Sequence, residues 1–250
     1  MLSIVSLLVS SSLAFQAPAP EVTASPRAIA AQNPNLTDEL RGDIMMARKM
    51  YLDAIDFYKP HSNVSAVMAN KTGIAYHQLG DLNNAKKYYE RSIKLDRSYA
   101  EALNNLGTIH YARKAYNEAI KQYEKALKLS PDSPSVWTNL GTAYFARKKY
   151  EEALRYYAHA ISLDPEIFDR RGTGGTQIQE RSVEERAKFY YTLAKTFAQA
   201  GLLDQALRNV RFALEYGFKE RNKFIAEPEF QSLQSNLEFQ QLMASEPRVL

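Results

Sequence analysis

Apolar and polar positions between residues 100 and 167 fall into a repeat. The segment NNLGTIHYARKAYNEAIKQYEKALKLSP aligns with TNLGTAYFARKKYEEALRYYAHAISLDP, placing Gly107 over Gly141, Ala119 over Ala153, Tyr123 over Tyr157 and Pro131 over Pro165, each 34 residues apart. Within one period the apolar and small residues recur at helical spacing in two runs: Trp137, Leu140, Gly141 and Tyr144, then Ala153, Tyr157 and Ala160, with Pro165 stopping the second. Two helices folded back on each other follow from this. Small Gly141 and Ala153 let them approach closely, while Trp137, Tyr144 and Tyr157 fill the space around the contact. A fixed period of this length marks a solenoid, in which each unit buries its apolar face against its neighbours.

Fainter copies flank the two strong ones. Residues 66–99 keep Gly73, Tyr76, Ala85 and Tyr89 but carry Thr72 and Arg97 where Leu and Pro are expected, with Gly80-Asp81 as the inter-helix turn. Residues 187–220 keep Leu193, Ala194, Phe197, Gly201, Ala206 and Ala213, with Val210 in place of the second-helix aromatic. Gly42, Ala54 and Tyr58 align for a divergent first unit, about 35–65, if it is shortened by three residues near Lys59-Pro60. The pattern, complete in 134–167, resembles the tetratricopeptide repeat family. The resemblance implies an all-α, right-handed solenoid of helix hairpins whose first helices line a concave groove that binds peptides or partner proteins.

Four segments stand outside the period. MLSIVSLLVSSSLAFQAPAP has an apolar run from Leu2 to Phe15 followed by small residues and reads as a signal peptide over 1–17, with cleavage after Ala14 or Ala17, although no Lys or Arg precedes the run. Fourteen helical residues span about 21 Å, too short for a stable membrane span. Export to a periplasmic or secreted location is therefore expected, with 18–34 as a disordered, proline-bearing linker. Residues 168–186 are an insertion containing RRGTGGTQIQER. A phosphate loop needs a preceding strand and a lysine followed by Ser or Thr, and this segment has neither. It reads as a solvated loop, or as a binding flap in which Arg170, Arg171 and Arg181 meet an acidic partner. Ser182-Val183-Glu184-Glu185 reads as a capping box opening the next helix. Over 221–250, Phe230, Leu233, Leu237, Phe239, Leu242 and Met243 predict a short helix, broken near Ser235-Asn236, that caps the solenoid's end.

Chemistry-bearing residues are sparse. With no cysteine, disulfides, thiolate nucleophiles, a lipid anchor and the common zinc knots are excluded. The 32 basic and 28 acidic residues are interleaved, so nucleic acid is not an expected partner. His61, His77, His110 and His159 have no ligand spacing, and no hydrolase or paired-carboxylate motif occurs. No catalytic residue, metal or cofactor is predicted, and oligomeric state is left open.

Function is thus expected at the surface. Steps of three and four residues along the first helices mark an inward stripe: Asn70, Ile74 and His77; Glu101, Asn104, Thr108 and Tyr111; Ser135, Thr138, Thr142 and Phe145; Lys188, Tyr191 and Lys195. Lys71, Asn105 and Asn139 border it. Amides would pair with the backbone of an extended peptide and the aromatic rings would add apolar contact. Asn105 and Asn139 are equally suited to bonds within the repeat itself. Lys121 and Lys128 are expected on the outer face. The expected role is a non-catalytic interaction scaffold for a protein or peptide. The alternatives are an exported envelope protein that binds polysaccharide or peptidoglycan, and the helper subunit of an enzyme complex.

Overall fold

The computed structural model of the protein describes residues 35–169 and 182–245. The signal-like segment and linker, the Arg-Gly-Thr core of the insertion and the last five residues lie outside these. The described residues form helices and contain no strand. Five hairpins follow one another: α1 (Asp38–Ala47) with α2 (Tyr51–Tyr58), α3 (Ala66–Gln78) with α4 (Leu82–Leu95), α5 (Ala100–Ala112) with α6 (Tyr116–Leu129), α7 (Pro134–Ala146) with α8 (Tyr150–Leu163), and α9 (Val183–Gln199) with α10 (Leu203–Glu215). First helices of neighbouring hairpins α3, α5 and α7 touch one another, whereas the second helices are held further apart, so the first helices form the inner face.

Local chemistry sets the boundaries. The side chains of Thr37, Ser65 and Asp81 accept from the backbone N–H three residues on and start α1, α3 and α4. Ser182 and Glu185 form the predicted capping box. It opens α9 at Val183, four residues before the unit boundary expected at Ala187, because a strong N-terminal cap adds a turn to this helix.

Every hairpin turn places its second residue in the left-handed region: Lys49, Gly80, Lys114, Lys148 and Gly201, with φ between 59° and 78°. The following N–H reaches back to the carbonyl five residues earlier, as from Lys149 to Tyr144 at 3.0 Å, which satisfies the helix end. Glycine adopts this conformation freely. The three lysines do so against their Cβ, at a cost of about 1 kcal/mol each.

Inside each hairpin one contact recurs. A Cβ built on Gly42, Gly73, Gly107 or Gly141 would lie 2.2–2.6 Å from the ring of Tyr58, Tyr89, Tyr123 or Tyr157, the residue 16 positions later. Those four rings are at most 1% exposed. In the fifth hairpin the same two positions are Ala194 and Val210, both fully buried. A methyl appears on one helix where a ring disappears from the other, so the distance between helices is kept with a different pair. In the first, third and fourth hairpins the residue after the glycine receives the tyrosine hydroxyl: Tyr58 donates to Asp43 at 2.6 Å, Tyr123 to Thr108 at 3.5 Å and Tyr157 to Thr142 at 3.2 Å.

The chain is packed where the fourth unit passes into the insertion. Ile167 is buried, and Phe168 stands edge-on to Tyr157 and Phe197, joining the fourth hairpin to the fifth. At the far end the cap comprises α11 (Lys223–Ala226), a 3-10 turn (Pro228–Leu233) and α12 (Leu237–Ala244). Phe224, Phe230, Leu233 and Phe239 are buried beneath it, whereas Leu237, expected inside, is 68% exposed. The sequence reading missed Phe224. Proline at 228 and the side-chain cap of Asn236 on Phe239 divide the segment, so the apolar residues come from three short elements.

Two substitutions test these constraints in opposite directions. Gly141→Ala gains about 1 kcal/mol of helix propensity but drives a methyl into a ring already fixed by Thr142, Phe168 and Phe189. Overpacking of about 1–3 kcal/mol outweighs that gain, so urea unfolding should show a net loss, partly recovered in Gly141→Ala/Tyr157→Val. Lys148→Gly should instead raise stability by up to about 1 kcal/mol, since relief of left-handed strain exceeds glycine's added chain entropy.

Candidate peptide groove

Hydrogen bonds between repeats organise the inner face. Asn105 Nδ2 donates to Asn70 Oδ1 at 3.0 Å, and one repeat later Asn139 Nδ2 donates to Asn104 Oδ1 at 2.9 Å. Asn70 donates in turn to Glu101 at 3.1 Å, which also accepts from Tyr99. Burial pushes the Tyr99 phenol up to about 12, with Glu101 acting in the same direction. Both amide pairs therefore tie consecutive first helices together. They occupy part, but not all, of each amide's hydrogen-bonding capacity.

The cations bordering the groove are neutralised by the protein itself. Lys71 Nζ meets Asp43 at 2.7 Å and Glu39 at 2.7 Å. Burial pulls this ammonium down, but the bonds to Asp43 and Glu39 outweigh it and hold the pKa above the ordinary lysine value. At the other end Lys195 lies 3.1 Å from Glu227 and 3.4 Å from Glu229, both contributed by the C-terminal cap. Tyr191 donates to Glu227 at 2.5 Å, stacks on Phe218 at 4.4 Å and is covered.

The inward stripe read from the sequence is consequently narrower than expected. Asn104, Asn105, Thr108, Asn139, Lys71 and Lys195 are partly exposed and share the inner face. Asn70, Tyr111, Thr138, Thr142, Phe145 and Tyr191 are buried, none more than 8% exposed, and are not offered to a partner. Periodicity gives the direction of each side chain from its own helix, but the second helix of the same hairpin, the next hairpin or the cap encloses these six. Tyr111 packs on Tyr116 of its own hairpin's second helix at 5.4 Å, and Phe145 packs on Tyr150 of its own hairpin at 5.2 Å and on Phe189 of the next at 5.4 Å. Thr138 and Thr142 return their hydroxyls to carbonyls four residues back in their own helix. Sequence reasoning missed the acidic contribution of Glu39 and Asp43. Asp43 was detectable as the residue following Gly42, aligned with Thr108 and Thr142.

The histidines serve separate local purposes. His61 is 2.8 Å from Asp38, and His159 lies edge-on to Trp137 at 4.3 Å. Burial lowers His77 and His110 below the ordinary imidazole value. Among the described residues no group of three or more metal-ligating side chains gathers, and no helix is long and apolar enough to cross a membrane.

Comparison with known proteins agrees with this geometry. Residues 73–113 and 107–147 match the family described as TPR repeat, and residues 134–167 match the family described as tetratricopeptide repeat. Residues 73–167 are thus tetratricopeptide repeats. No curated protein matches the chain. Among solved structures, a crystal structure of MamA is 22% identical, with a TM-score of 0.49 over 70% of this chain and 93% of that one. An NMR structure of the second TPR domain of human RPAP3, in complex with the HSP70 peptide SGPTIEEVD, is 25% identical, with a TM-score of 0.41 over 43% of this chain and 92% of that one.

Lys195 is 15% exposed and holds two carboxylates of the cap. Lys195→Met should therefore cost about 2 kcal/mol, between the values for exposed and fully buried pairs. Hydrogen exchange should quicken in residues 227–244 and stay unchanged in α3 to α6.

Proposed function

We propose that this protein is a non-catalytic scaffold that holds an extended segment of a partner protein along its inner face. The observation that carries the reading is the pair of amide bridges, Asn105 to Asn70 and Asn139 to Asn104. These fix the half-exposed amides of Asn104, Asn105 and Asn139 in one orientation, where an extended backbone can bond to their remaining donors and acceptors. Rigid placement limits the side-chain entropy lost on binding. The order of charges also favours a particular kind of segment. Lys71 and Lys195 are held by carboxylates, so a partner's terminal carboxylate meets no uncommitted cation from either of them, whereas exposed Glu101 suits neutral or cationic side chains.

The test uses the full chain as bait in an extract of its native host, with crosslinking to locate the partner. The pair Glu101→Lys and Thr108→Lys alters accessible groove positions and should reduce partner recovery by roughly tenfold or more; helicity should be retained, with a modest fall in melting temperature from the lost Asn70–Glu101 and Tyr123–Thr108 bonds. Lys121→Glu, on an exposed face of α6, should leave recovery unchanged. Recovery by the groove variant equal to that of the parent would refute the groove reading.

A further inference from the structure

A second, chemically different cleft opens on the outer side between α4 and α6. Its volume is about 590 Å³, and Ile93, Leu103 and Leu129 form its apolar walls. Leu129 is 45% exposed although it is a large aliphatic residue. Lys94, Arg97, Lys125 and Lys128 stand around the opening. The carboxylate beside them, Glu90, is drawn toward Lys86 at 3.5 Å.

The cleft arises from a substitution within the repeat. Leu103 occupies the position held by Trp137 in the next hairpin and by Tyr190 in the one after. There the rings are surrounded: Trp137 lies 5.9 Å from Tyr156 and 4.3 Å from His159, and Tyr190 lies 5.1 Å from Phe212 and 5.4 Å from Tyr216. In the third hairpin Gln122 and Lys125 replace Tyr156 and His159. One aliphatic side chain and a lysine thus stand where a cluster of rings fills the equivalent space. The chain itself contains the template for what fits, a planar aromatic ring wedged between second helices.

We infer that this cleft is a second docking site, which takes an aromatic side chain from an acidic peptide segment whose carboxylates meet Lys94, Arg97, Lys125 and Lys128. Ring burial against Ile93, Leu103 and Leu129 supplies the anchor, and the cationic rim selects its anionic flanks. The site is separate from the inner groove, where Lys71 and Lys195 are held by the chain's own carboxylates.

The probe is a fluorescein-labelled peptide of about 12 residues, aspartate and glutamate with one central tryptophan, followed by anisotropy on the full chain. Binding should weaken roughly tenfold or more when alanine replaces the peptide's tryptophan, and by a similar factor in Leu103→Trp, which fills the cleft as Trp137 fills its own. Lys94→Glu/Lys128→Glu changes two exposed side chains, keeps the fold, and should abolish binding. Glu101→Lys in the inner groove should not reduce it. Four results would overturn the assignment: no binding by the parent chain, equal binding of the alanine peptide, undiminished binding by Lys94→Glu/Lys128→Glu, or tighter binding of a single-stranded oligonucleotide of equal charge. The last would give the face to nucleic acid. Because the groove variant is read in parallel, failure here is distinguishable from failure of the groove reading.

Discussion

The contact between a glycine on one helix and a tyrosine ring on its partner determines much else in this array. It brings the two helices of a hairpin to the distance set by a flat ring lying on bare backbone. That distance leaves room for small residues such as Ala85, Ala119 and Ala153, all fully buried, at the crossing. In the first, third and fourth hairpins it also aims the tyrosine hydroxyl across the first helix to the residue after the glycine, so close packing and a polar bond are coupled there. The fifth hairpin keeps the approach with alanine against valine and does without the hydroxyl. There the corresponding inner position is Lys195, which turns to the cap instead.

Curvature follows from how successive hairpins meet. First helices touch along a line of amides, while second helices diverge and need large side chains to fill the gaps between them. The two faces therefore differ in chemistry as well as in shape. The inner face is polar, closely bonded and bordered by carboxylates. The outer clefts depend on individual residues: where Trp137 or Tyr190 is present they are filled with rings, and where Leu103 is present space remains beneath a ring of cations.

Much of the fold was legible because the period copies the same small and aromatic residues. Gly107, Tyr123 and Pro131 need no structural knowledge to be matched with Gly141, Tyr157 and Pro165. The first hairpin was recoverable from Gly42 and Tyr58, since that contact survives the three-residue shortening. The inner-face residues were less legible for a physical reason. Helical periodicity gives the direction of a side chain from its own helix, but burial also depends on what the partner helix and the neighbouring hairpin bring against it. Tyr111 and Phe145 therefore point as expected and yet are enclosed. The amide bridges depend on a register of 35 residues, one more than the repeat, and single-repeat spacing does not display it. The cap was legible as apolar content, but its division around Pro228 and Asn236 required the backbone.

The two ends of this register have unequal freedom to change. Each amide bridge joins one repeat to the next using residue types that the third hairpin carries on both sides: Asn104 to accept and Asn105 to donate. A duplicated copy of residues 100–133 spliced in after itself would find a matching acceptor before it and a matching donor after it. The gene can thus lengthen the array in its middle by simple duplication. A copy of the fifth hairpin has no such option, because its Tyr191 and Lys195 are fitted to Glu227 and Glu229. Growth of the solenoid over evolutionary time is open internally and closed at the carboxyl end.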